Sequence, residues 1–307
     1  MIVGSNLEKV LSSGAFALTS ELGPPKSADR QVIERKAHIL KGYVDAVNIT
    51  DNQTAVVRMS SISVGTMLVH LGLEPIVQMT CRDRNRLAIQ SDLLGASALG
   101  IRNLLNLTGD HIKFGNHTQS KGVHDIDSMQ LLQMVKNMRD DKIFQCGEEI
   151  DVEPRFFIGA AANPFADPFD YRPLRLAKKV TAGADFIQTQ LVYNVDRFRE
   201  YMKRVVDLGL QDKVYILAGV GPIKSVGMGR YMQRNVPGLD VPESIIQRIK
   251  GVPKEKRRDE GMRQCADIIQ EVQEIPGVAG VHIMAIEWEK AVPQIAEMAG
   301  LLPRPIV

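Results

Sequence analysis

The stretch Phe16-Ala17-Leu18-Thr19-Ser20-Glu21-Leu22-Gly23-Pro24-Pro25 is an apolar run that delivers one carboxylate and then stops. Phe16, Ala17 and Leu18 read as a buried strand. Gly23, Pro24 and Pro25 cannot continue a ladder, so Glu21 falls where the strand ends. An ionised carboxylate at the mouth of an apolar core costs free energy unless it is partnered or its raised pKa serves chemistry. A surface glutamate in a strand-to-loop turn is the competing reading of this segment taken alone.

The same figure recurs along the chain. Further strands are predicted over Val44–Ile49, Glu74–Met79, Ile101–Leu107, Arg155–Ala161, Ala184–Gln190, Lys213–Ala218 and Gly280–Ile286. Between them the apolar spacing is helical over Ala28–Leu40, Ser60–Leu71, Asn85–Leu99, Asp125–Met138, Leu174–Ala182, Asp196–Leu208, Ile223–Arg234 and Pro253–Gln273, and Glu289–Met298 closes the chain. Eight strands alternating with helices predict an α/β fold, a single (β/α)8 TIM barrel over residues 1–307. A doubly wound sheet would carry a phosphate-cradling GxGxxG after its first strand, where Glu21-Leu22-Gly23-Pro24-Pro25 stands instead. Gly219, Gly221, Gly227 and Gly229 also miss that spacing.

With 307 residues and 44% hydrophobic content, the chain can bury a large core without covalent staples. A formal charge of +2, from 38 basic and 36 acidic residues, gives no polyanion-binding field, so nucleic acid is not an expected partner. No apolar stretch reaches the roughly 20 residues a membrane helix needs. Met1–Val10 lacks the basic start and apolar middle of a signal peptide, which makes a cytoplasmic location the expectation. Cys81, Cys146 and Cys265 lie far apart and imply neither a disulfide framework nor a self-contained metal or cluster site.

In such a barrel the active site gathers at the carboxyl ends of the strands. Those ends supply Glu21, Thr50, Gln78 with Thr80, Thr108-Gly109-Asp110, Asn163, Gln188 with Gln190, Gly221 and Glu287. This ring of amides, hydroxyls and carboxylates suits a flat, uncharged heteroaromatic group rich in donors and acceptors. Polar strand ends occur in every barrel, so ordinary loop chemistry stays open for each residue singly. The helix after strand five adds Arg172, Arg175, Lys178 and Lys179, which read either as a phosphate-binding set or as a solvated basic face. His111, His117 and His124 match no metal-ligand spacing, and no metal is expected. Met129, Met134 and Met138 read as core packing, and no serine or cysteine stands in a recognisable nucleophile elbow.

Taken together, these strand ends resemble the methylenetetrahydrofolate reductase family, flavin-dependent barrels that reduce the methylene group on tetrahydrofolate to methyl. The matching pieces are Ser20-Glu21-Leu22-Gly23-Pro24-Pro25-Lys26, Thr50, Gln78-Met79-Thr80-Cys81, Leu107-Thr108-Gly109-Asp110, Ala161-Ala162-Asn163-Pro164 and the run from Lys178 to Gln190. The resemblance implies Glu21 as general acid, Asp110 beside the flavin pyrimidine edge and the pterin, and Gln190 against the folate. It implies Thr50, Gln78, Thr108, Gly109 and Asn163 along the isoalloxazine and ribityl chain, with Arg175, Lys178 and Lys179 facing the phosphates. The implied cofactor is FAD, with FMN as the alternative. In the implied chemistry a carboxylic acid protonates the departing nitrogen of the five-membered ring, leaving an iminium cation to accept hydride, and the Asp110 carboxylate stabilises that cation.

Three places depart from the family pattern, the first being the stretch between Asn163 and Lys179, which is short for the nucleotide half of FAD and leaves FMN open. Leu191-Val192-Tyr193 stands where a phenylalanine-rich nicotinamide platform is usual, and Glu287-Trp288 replaces an Asn-Arg pair after the last strand. The electron donor is therefore either a pyridine nucleotide or a partner subunit carrying iron–sulfur clusters, since three scattered cysteines cannot build a four-thiolate cluster. An oligomer is compatible with this reading. Two alternatives remain at this level: a flavin-free pterin-binding methyltransferase barrel, and a non-catalytic scaffold subunit of a one-carbon complex.

Overall fold

Eight parallel strands close on themselves in chain order: β1 (Ala17–Leu22), β2 (Ala46–Ile49), β3 (Pro75–Thr80), β4 (Asn103–Leu107), β5 (Phe157–Ala162), β6 (Phe186–Leu191), β7 (Tyr215–Val220) and β8 (Val278–Ile283). The computed structural model describes residues 3–307; Met1 and Ile2, which open the stretch weighed above for a leader, lie outside them. The helices are α1 (Asn6–Ser12), α2 (Arg30–Leu40), α3 (Ser61–His70), α4 (Arg86–Ala98), α5 (Ser128–Lys136), α6 (Arg172–Thr181), α7 (Val195–Asp207), α8 (Val226–Asn235), α9 (Glu243–Lys250), α10 (Arg257–Gln273) and α11 (Ala291–Met298). This is the predicted (β/α)8 barrel. No helix among the described residues is long and apolar enough to cross a membrane.

The strands read as continuous apolar runs because both of their faces are covered. Their outward residues, such as Leu18, Val47, Val77 and Ile187, join the helices in one large apolar shell. Their inward residues build the barrel interior in layers. Ala17, Ala46, Ile76, Leu105, Phe157, Phe186 and Leu217 form the lowest, closed from beneath by Leu7, Val10 and Leu11 of α1. Phe157 and Phe186 stack there with ring centroids 5.1 Å apart.

The sequence reading did not include α1 or α9, of seven and eight residues, which are too short for a periodic apolar pattern to declare itself. A tertiary contact holds α1: the Glu74 carboxylate accepts the Asn6 and Leu7 N–H groups at 2.5 and 2.9 Å, and the Asn103 amide at 2.9 Å. Strand ends also moved by one to three residues. Thus β1 continues through Leu22, so Glu21 lies within the strand and not beyond it. The predicted Asp125–Met138 helix begins at Ser128 behind a capping box of Asp127 and Gln130, and after Lys136 it loosens into a π-helical turn over Asn137–Asp141.

Candidate active site

Two residues above the apolar floor, the inward positions turn polar. Thr19, Asn48, Gln78 and Gln188 each follow a floor residue by two, so the period of the strand points them inward as well. Asn48 and Gln188 exchange amide hydrogen bonds of 2.6 and 3.0 Å across the barrel, and Gln188 reaches the Thr19 hydroxyl at 3.4 Å. That hydroxyl lies 2.9 Å from Nδ1 of His282. His282 reaches the interior because the β7–β8 register shifts: Ala279 and His282, three residues apart, both pack inward, which an unbulged strand would forbid. Burial pushes the His282 imidazole down to about 3, so it is neutral near pH 7.

Above this belt opens a cavity of about 430 Å³, within the range of small-molecule sites. Asn48, Gln188 and His282 form its floor, and Leu107, Leu176 and Met284 give it apolar walls. Glu21 of β1 enters from one side. From β5 and α6, half-way round the barrel, come Asn163, Arg172, Arg175 and Lys179. An acid and a cation cluster therefore face each other across a polar floor.

Each end carries an electrostatic signature. Burial, reinforced by the Glu289 carboxylate and opposed by Lys36 and Arg58, raises the Glu21 carboxyl to about 7. The Glu21 carboxyl makes no hydrogen bond among the described residues. Lys179 is buried with its ammonium against the Ala161 carbonyl, and burial, then Arg175, lowers it to about 8. A buried ammonium beside a guanidinium is relieved by an anion. Asn106 lines the cavity, donates to the Gly159 carbonyl at 3.2 Å and leaves its buried Oδ1 without a partner. An unpartnered acceptor in a residue that lines a cavity is suited to a donor-bearing heterocycle.

Of the residues singled out from sequence, Glu21, Gln78, Thr108, Asn163, Arg172, Arg175, Lys179, Gln188 and Gln190 line this one cavity. Asn163 also serves the loop, its Oδ1 accepting the Phe165 and Ala166 N–H groups. Gln190 folds back so that its Oε1 accepts the Leu191 N–H at 3.0 Å. Thr50, Gly109, Asp110 and Lys178 are not in the lining. Thr50 is buried beside the mouth with its hydroxyl unpartnered. Gly109 has φ +90°, and a Cβ there would meet Arg82 at 3.0 Å and Thr80 at 3.1 Å, so it lets the β4 loop pass close over β3. Asp110 is exposed at the rim, its carboxylate accepting the Thr54 N–H at 3.0 Å. Lys178 lies outside on α6, bonded to the Tyr171 hydroxyl at 3.1 Å; one position along a helix turns a side chain by about 100° away from its neighbour Lys179. Thr19, Asn48, Asn106 and His282 went unremarked in the sequence. A signal was available for two of them, since a polar residue two before a strand-end polar residue recurs in Thr19/Glu21 and Asn48/Thr50.

The methylenetetrahydrofolate reductase family profile matches residues 6–300. Methylenetetrahydrofolate reductase 2 of Schizosaccharomyces pombe is 25% identical over an alignment covering 97% of this chain and 47% of that protein. The 5,10-methylenetetrahydrofolate reductase of Pectobacterium carotovorum subsp. carotovorum is 22% identical, with 94% of this chain and 92% of that protein covered. The chain thus spans about half the length of the first relative and nearly all of the second. Among solved structures, an uncharacterized protein from Clostridium thermocellum that binds two copies of 5-methyl-5,6,7,8-tetrahydrofolic acid superposes with a TM-score of 0.65 at 14% identity, covering 96% of this chain and 100% of that one. Likeness at that identity establishes the barrel. From the extent of the profile match, carried on a barrel whose strand ends form one polar cavity, the chain belongs to the methylenetetrahydrofolate reductase family.

Proposed function

We infer that this chain reduces the methylene group of 5,10-methylenetetrahydrofolate to methyl, with a bound flavin nucleotide and with Glu21 as the general acid. One observation carries the reading. A carboxyl held near neutrality by burial faces, across a polar floor, the cations that a phosphate-bearing cofactor requires. Family membership and the folate bound by the Clostridium thermocellum neighbour support the same substrate class.

The residues present fit a flavin. Arg172, Arg175 and Lys179 would hold its phosphate, while Gln78, Thr108, Asn106 and the floor amides would meet the polar edge of its ring system. When bound and reduced, a flavin supplies the hydride. Glu21 supplies the proton: its O–H breaks as the departing ring nitrogen gains N–H, and the ring opens to the iminium that is then reduced. Neutral His282 and the Asn48–Gln188 pair donate and accept without adding charge beside that cation. Asp110, at the rim and anchored to Thr54, would place its carboxylate near the cationic intermediate, and Gln190 would contact the folate.

Purified protein should bind FAD or FMN and show a yellow spectrum that bleaches with 5-methyltetrahydrofolate. Protein that stays colourless after reconstitution would favour a flavin-free methyltransferase or a scaffold. Glu21→Gln should leave flavin bound and reducible by dithionite while folate reduction falls by roughly 100-fold or more, the scale of general-acid catalysis; full folate turnover by that variant would remove Glu21 from the mechanism. Reduction assays with NADH, NADPH and reduced ferredoxin distinguish a pyridine nucleotide donor from an iron–sulfur partner.

A further inference from the structure

Glu21 faces two spaces. A second cavity, of about 280 Å³, lies between the β1 turn, the loop after β2 and the loop after β8. Glu21 is the lining residue that the two have in common. In the second cavity Lys36 of α2 donates to Glu289 at 2.5 Å and to the Gly23 carbonyl at 3.0 Å, and Glu289 is only 9% exposed. Arg58 donates to the Pro24 carbonyl at 3.2 Å and lies 3.7 Å from Glu287 at the exposed rim. From this side, then, Glu21 faces the cations Lys36 and Arg58 and the carboxylates Glu289 and Glu287. Across the large cavity it faces neutral His282 and the cations of α6.

Reduction of the methylene group consumes one proton per turnover, which Glu21 delivers on the large-cavity side. Ligands occupying that side separate the spent carboxylate from bulk water. The second cavity admits several waters at about 30 Å³ each, and charged and carbonyl groups in its walls give them partners. We propose that the second cavity is the path by which Glu21 regains its proton from solvent, and that the Lys36–Glu289 ion pair positions and regulates that return. The inference rests on Glu21 being the acid. In the step itself the Glu21 carboxylate gains O–H as a proton passes along the waters from hydronium or buffer acid in bulk, and nothing is oxidised or reduced. Glu289 favours the protonated acid, and Lys36 opposes it.

Glu289→Gln and Lys36→Met should therefore act in opposite senses. With the Glu21 carboxyl stretch followed by infrared difference titration of protein without added flavin or folate, and identified by its loss in Glu21→Gln, the midpoint should fall in E289Q and rise in K36M. Each shift should be on the order of one pH unit. In turnover, E289Q should lose roughly tenfold at pH 8 and little at pH 6. Its first turnover, started from protein equilibrated at pH 6, should keep the wild-type rate while later ones slow. Should an unpaired charge prevent either single variant from folding, the neutral double variant K36M/E289Q carries the test, again through later turnovers slower than the first. Midpoints unmoved in both single variants, or first and later turnovers slowed alike, would overturn the proposal. Wild-type protein that reduces no folate would instead defeat the functional reading, while unmoved midpoints in a protein that does reduce folate would defeat this one alone.

Discussion

At the level of single residues, the burial that would suit Glu21 to the proposed acid role opposes stability. Its native pKa, raised from 4.5 to about 7, means that between those values the folded protein keeps a proton that the unfolded chain has released. The contribution is fully present below pH 4.5 and is lost as pH rises through 7, with an upper bound of about 3 kcal/mol at 1.36 kcal/mol per unit. Glu21→Gln removes that pH-dependent loss. Urea denaturation at pH 8 should therefore find the variant about 1–3 kcal/mol more stable than wild type, with little difference at pH 4.5; a less stable variant at pH 8 would show that burial does not govern this carboxyl. Lys178 and Lys179 make a second contrast. Adjacent in sequence, one bonds Tyr171 outside the cavity and the other is buried in its wall. Fluorescence titration should find flavin affinity reduced by about 10- to 100-fold in Lys179→Ala, in keeping with a lost charge-assisted contact, and within about twofold of wild type in Lys178→Ala. Equal losses would mean that the cations act only as a diffuse field.

At the level of elements, α1 is the piece whose placement depends most on one side chain. Its seven residues are too few to hold a helix in isolation, and Glu74, just before β3, accepts two of its free N-terminal N–H groups. Leu7, Val10 and Leu11 then close the barrel floor. Glu74→Ala should lower global stability by about 1–3 kcal/mol and speed hydrogen exchange across α1 before any other element; unchanged exchange in α1 would show that its apolar face alone suffices. The β8 bulge is the corresponding device inside the barrel. Without the extra residue, His282 would turn toward the helices and the polar belt would lose its contact with Thr19.

At the level of the whole molecule, the barrel separates its tasks by height, with apolar closure below, a neutral polar belt in the middle and the cavity above. Holding His282 uncharged in that belt has a consequence for acid stability. Its native value near 3 lies below the unfolded 6.5, so from pH 6.5 downward the unfolded chain takes up a proton that the native protein refuses, and stability falls. His282→Asn should flatten this acid limb, measured as a smaller difference in denaturation midpoint between pH 6.5 and pH 4; an unaltered limb would assign acid unfolding to other groups. The sequence alone determined the barrel, because eight apolar runs, each followed by a helical period, leave few other ways to bury both faces of a parallel sheet. It also marked Glu21, since a carboxylate inside an apolar strand just before Gly23-Pro24-Pro25 conflicts with its surroundings in a way that composition reveals. Only the tertiary structure decided which strand-end residues share one cavity, that Lys179 and not Lys178 turns inward, and that Asn48, Gln188, Thr19 and His282 join across the interior. Those outcomes depend on strand register, a bulge and contacts between residues more than 100 positions apart, and local spacing carries no record of any of them.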